Sequence, residues 1–121
     1  MINPYHNVDV QTRVESASPH ELISMLLQGA KTNISAAQTH LVRNQIVKKG
    51  EHIGKAINIL EGLRTSLNHD GGGDISQNLD KLYEYMQQLL LKANLHNDEK
   101  YLKEVNGLLD NIYTAWLGIK N

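Results

Sequence analysis

The chain has 121 residues with 12 Lys plus Arg, 13 Asp plus Glu, a formal net charge of -1 and no cysteine. That length suits one compact domain. The interspersed charges leave no basic field for a nucleic-acid backbone, and the lack of thiols excludes disulfides, thiolate nucleophiles and sulfur-built zinc sites. No stretch of about eighteen apolar residues and no basic start followed by an apolar run occurs, so the chain reads as soluble, unprocessed and not inserted in a membrane.

Residues 1–17 are polar, with spaced apolar points at Tyr5, Val8, Val10 and Val14, and Pro4 discourages helix around it. An extended arm is expected there. Ser18, Pro19, His20 and Glu21 then form a start signal: Ser as N-cap, Pro at the first helical position and Glu placed to complete a capping box. From there Leu22, Ile23, Leu26, Leu27, Ala30, Ile34, Ala37 and Leu41 recur three or four apart, which predicts a first helix up to the polar Arg43 and Asn44. Ile46, Ile53, Ile57, Leu60, Leu63 and Leu67 predict a second.

The run Asn68, His69, Asp70, Gly71, Gly72, Gly73 breaks the pattern, since consecutive glycines would forfeit conformational entropy in a helix. Asp74 and Gln77 have capping-box spacing, and Ile75, Leu79, Leu82, Met86, Leu89 and Ala93 carry a third amphipathic stripe. A turn is expected over Asn94 to Asp98, with Asn97 or Asp98 as cap. Tyr101, Leu102, Val105, Leu108, Leu109, Ile112 and Trp116 then predict a fourth helix ending near Gly118. Short connections make successive helices antiparallel. The expectation is an all-α, up-down-up-down four-helix bundle over 18–121, preceded by the arm 1–17.

Catalytic chemistry finds little footing. No Glu has a His three residues later, as di-iron bundles require. The histidines, His6, His20, His40, His52, His69 and His96, lack paired ligand spacing. The glycine triplet lacks the preceding strand and the Lys-Ser or Lys-Thr ending of a phosphate-binding loop. Neither enzyme activity nor a cofactor is expected. One rival comes from another class: His52, Ile53, Gly54, Lys55 and Ala56 loosely resemble the box of a histidine phosphotransfer domain, in which a solvent-facing His precedes a Lys by one turn. The stretch ends in Ala56 where such domains usually carry Gly, and an ordinary surface His is the plainer reading.

The predicted helices hold more apolar residues than one bundle seam needs. Ala56, Ile59, Leu90, Leu91 and Leu117 are additional, and Tyr113 falls near Trp116. Gly50, Gly54, Gly62 and Gly107 inside helices each cost on the order of 1 kcal/mol relative to Ala, which close backbone approach would justify. Surplus apolar surface with small residues suggests a groove for a partner helix; otherwise these residues thicken the core.

The ordered set of residues resembles a known family. Its pieces are Tyr5, Ser18-Pro19-His20-Glu21-Leu22-Ile23 through Met25-Leu26 and Gly29-Ala30, Lys49-Gly50 with Ile53 and Lys55-Ala56, and Leu63 with Ser66-Leu67. Gly72-Gly73, Asn78-Leu79, Leu82-Tyr83, Tyr85-Met86, Ala93-Asn94, Glu104-Val105, Leu108-Leu109 and Ala115-Trp116 complete it. Together they resemble the flagellar secretion chaperone family FliS across nearly the whole chain, departing at Leu27 and Gln28, where that family commonly has Tyr and an acidic residue.

The resemblance implies a cytosolic helical bundle that binds the disordered C-terminal region of flagellin. It would prevent premature polymerisation and keep the client competent for flagellar type III secretion. A segment destined for a filament core exposes an apolar face that needs reversible cover, and folding on binding moderates affinity for a large interface. Ile53, Ile57, Leu60, Ile75, Leu79 and Tyr83 are the candidate groove residues. The arm around Tyr5, Val8 and Val10 is implied to lie on the bundle and adjust when client binds. Flagellar export components are further candidate partners, and self-association stays open.

Overall fold

A computed structural model describes residues 17–67 and 72–119. Among these residues there are four helices: α1 Pro19–Val42, α2 Ile46–Thr65, α3 Gly73–His96 and α4 Glu99–Leu117. Each packs on its neighbours in sequence, and α1 also packs on α4, closing the ring. Long-range contacts give the directions: His20 at the start of α1 meets Trp116 at the end of α4, and Lys49 at the start of α2 meets Asn94 at the end of α3. The bundle is therefore antiparallel, up-down-up-down. The arm 1–17, including Tyr5, Val8 and Val10, lies outside the described residues apart from Ala17.

Local chemistry places most boundaries. The Ser18 hydroxyl accepts the Glu21 amide at 3.1 Å with Pro19 opening α1, which satisfies one of the unpaired donors at a helix start. Asp98 does the same for α4 by accepting from the Lys100 amide at 3.0 Å. Asn97 closes α3 in the left-handed region at φ 52°, so the two candidate caps of this turn serve opposite helices. Asn44, at φ 58°, turns the chain between α1 and α2.

Two boundaries differ from expectation. Helix α3 starts at Gly73 behind Gly72, without a side-chain cap, so Asp74 lies in the first turn instead of capping it. It also runs on to His96, past Ala93, where Lys49 supplies a partner for the Asn94 carbonyl.

The core is the seam of the four stripes: Leu27, Ala30, Ile34 and Ala37 face Ile53, Ala56, Leu60, Leu63, Met86, Leu90, Ala93, Leu102, Val105 and Leu109. The surplus apolar residues divide. Ala56 and Leu90 do thicken the core, whereas Leu91 and Leu117 remain exposed. Close packing explains only part of the glycines: a Cβ on Gly50 would meet Asn94 Oδ1 at 3.5 Å, but one on Gly54, Gly62 or Gly107 would meet nothing within 4 Å.

Candidate client-binding surface

At the end of the bundle where α1 and α3 begin and α2 and α4 finish, the apolar stripes do not close on one another. A hollow of about 320 Å³ remains, lined by Ile23, Leu63, Ser66, Leu67, Ile75, Ser76, Leu79, Tyr83, Ile112 and Trp116. All four helices contribute. Burial pushes the Tyr83 phenol above its usual pKa range, so the wall stays uncharged there. A second hollow, also about 320 Å³, is lined by Pro19, His20, Ile23, Ser66, Trp116 and Ile119. Ile23, Ser66 and Trp116 border both. A mainly apolar concavity with few polar groups suits the apolar face of an amphipathic segment. A hollow of about 430 Å³ lined by Ser35, Gln38, Thr39, Val42, Arg43 and Glu99 is shallower, and Val42 is its one large apolar side chain.

The structure separates the predicted groove residues. Ile75, Leu79 and Tyr83 come together in the first of these apolar hollows, with Ile75 73% exposed at the rim and Tyr83 only 3% exposed in the wall. Ile57 is half-buried against the core. Ile53 and Leu60 are corrected: at 1% and 0% exposure they are core side chains, because their positions in α2 point into the seam shared with α1 and α3. They present no surface to a client. Tyr5, Val8 and Val10 lie outside the described residues. The sequence reading missed Ile23, Leu63, Leu67, Ile112 and Trp116 as wall residues. Their shared signal is position: each lies near the end of its stripe, on the side of the glycine run.

His52 does not stand free. Its ring stacks on His40, centroids 5.2 Å apart and 14° from parallel, and its Nδ1 donates to Asn33 Oδ1 at 2.9 Å. Burial is the main reason its pKa lies below the usual histidine range, with Lys55 and then His40 adding to the effect and Glu51 opposing it. A phosphoacceptor needs a solvent-facing imidazole. This one is half-buried between two helices.

Elsewhere polar cross-links join the helices, alongside exposed apolar residues such as Val42, Val47, Leu91 and Leu95. Arg64 pairs with Asp80 at 2.8 Å and bonds Gln87 at 3.1 Å, tying the end of α2 to α3 beside the apolar hollow. Gln87 reaches back to the Ile57 carbonyl at 3.2 Å. Among the described residues, no helix is long and apolar enough to cross a membrane.

The described residues form a helical bundle with an apolar hollow at one end, an architecture suited to binding a partner segment. The family model described as Flagellar protein FliS matches residues 1–121. The Salmonella typhimurium flagellar secretion chaperone FliS is 47% identical over 116 residues, covering 95% of this chain and 86% of that protein. The Pseudomonas aeruginosa flagellar secretion chaperone FliSB is 43% identical, covering 97% and 93%. The Bacillus subtilis FliS is 33% identical, covering 94% and 84%. The chain belongs to the FliS family, a family of chaperones rather than of enzymes.

Proposed function

We propose that this protein is a cytosolic export chaperone that binds the disordered C-terminal region of flagellin, blocks its premature polymerisation and delivers it competent for flagellar type III secretion. Its relatives are named flagellar secretion chaperones, and the one observation that carries the binding reading is the hollow around Leu79, Tyr83 and Trp116. The client offers an apolar helical face, and the hollow takes side chains from that face while ordering of the client moderates affinity. Ile75, Leu79 and Tyr83 contact client directly, and Ile57 borders the contact. Residues 1–17 form an arm in which Tyr5, Val8 and Val10 rest on the bundle 18–121 and shift when client arrives. Components of the export apparatus are the further partners.

Titration with a synthetic peptide from the flagellin C-terminal region tests this. Trp116 is the sole tryptophan and borders both hollows, so its emission should change on saturation. A peptide that leaves Trp116 emission unchanged and is not retained by the immobilised protein overturns the reading. Proteolysis at residues 1–15 that is the same with and without peptide overturns the role of the arm.

A further inference from the structure

We propose that His20 is a positioning residue for the binding surface, holding the Trp116 indole as a fixed partition so that both neighbouring hollows stay open to client side chains. This rests on the reading that the apolar hollow receives client.

The contact is specific and spans nearly the whole chain. The imidazole of His20 lies flat on the indole of Trp116, with ring centroids 4.7 Å apart and planes 11° from parallel. Its Nε2 lies 2.9 Å from the Trp116 carbonyl oxygen. A carbonyl only accepts, so Nε2 carries the proton and donates. In return the Trp116 indole N–H donates to the His20 carbonyl at 3.0 Å. The Trp116 carbonyl, in the last turn of α4, also accepts the Ile119 amide at 3.1 Å, so the His20 bond is a second tie on that helix end. The indole is thus held by its N–H, by its face and through its own backbone.

The position of this clamp makes it functional. Trp116 stands between the two hollows, and only His20 among its clamping groups lines the second. An indole has a large apolar surface whose burial is favourable. Without the stack and the Nε2 bond, the indole keeps only its N–H bond to the His20 backbone carbonyl, about which it can swing toward the apolar hollow of about 320 Å³ beside it. Folding inward would cover Leu79 and Ile112 and compete with client for the same space. By holding the ring upright, His20 keeps the site preorganised and removes a rearrangement from the binding step. It also sets a requirement on the client, which must place one apolar side chain on each side of the indole.

The test uses the full chain, the flagellin peptide, and the variants His20→Ala and His20→Phe. Free H20A should show Trp116 emission shifted to the blue and less accessible to acrylamide than in the wild type, as the ring moves into the hollow. Peptide association should slow and affinity fall by up to about tenfold, with dissociation unchanged, because a competent fraction is lost rather than a contact. H20F keeps a flat ring to stack and should recover most of the association rate, although it cannot donate to the carbonyl. A merely structural role would lower melting temperature without this split between association and dissociation. Unchanged emission in free H20A together with wild-type association overturns the positioning role. Failure of the wild-type protein to bind peptide overturns the functional reading instead, and the emission of free H20A then decides the clamp on its own.

Discussion

The Lys49 ammonium, buried at the start of α2, donates to Asn97 Oδ1 at 2.6 Å and to the Asn94 carbonyl at 3.0 Å. One cation thereby satisfies the last turn of α3 and the side chain of its left-handed cap, where a positive charge also suits the helix dipole. Burial lowers the pKa of Lys49 below the usual lysine range. Lys49→Ala should cost about 2–3 kcal/mol, since it empties the space of a buried side chain and removes the donor to Asn94 and Asn97. Lys49→Met, which refills the space, should cost less. Urea unfolding of both variants checks the order.

Exposure predicts opposite fates for two apolar positions. Ile75→Asp, at the rim of the apolar hollow, should change stability by no more than about 0.5 kcal/mol while weakening binding of the flagellin peptide. Leu60→Ala, in the core, should cost about 2–5 kcal/mol. Circular dichroism melts beside peptide titrations separate the two. A large loss of stability in I75D would place Ile75 in the packing instead.

The open glycines offer a stability gain. Because a Cβ at position 62 meets no atom within 4 Å, Gly62→Ala should stabilise the protein by up to about 1 kcal/mol. Gly73 has equally open space but sits at φ +55°, so Gly73→Ala should destabilise it through backbone strain. Thermal melts of the two single variants should move in opposite directions.

Acid should act through His52. Its pKa in the folded protein lies below 6.5, mainly because it is buried. Below 6.5 the unfolded chain takes up a proton that the folded chain resists, so stability falls as pH drops from 6.5 through the lower folded value. Above 6.5 this residue contributes no slope. Replacing His52 with Gln, which does not titrate, should flatten the change in urea midpoint between about pH 7.5 and about pH 5.5. An equal change in both proteins would assign the acid response to other groups.

The architecture was legible because it rests on local signals. Ser18 and Asp98 cap helices as their side chains allow, and the three-to-four spacing of Leu27, Ala30, Ile34 and Ala37 reports one buried face directly. Which apolar residues stay uncovered was less legible. Ile53 and Ile57 are four apart on one helix, yet one is core and the other half-buried, since that depends on how α2 is rotated against α1 and α3. The hollow itself brings together Ile23, Leu63, Ile75 and Trp116, and such a site at converging helix ends leaves no spacing rule along the chain. The pairing of His20 with Trp116 is similarly non-local, and neither residue alone announces it.

The bundle is bolted at opposite ends by unequal fastenings. At one end the fastening side chain, Lys49, is sealed from solvent, whereas at the other the Trp116 side chain is only half-buried. Amide exchange should accordingly be slower in the last turn of α3, which Lys49 ties, than in the last turn of α4. A carrier arranged in this way can loosen its grip at the mouth while its far end stays locked, and so shed a passenger without unravelling.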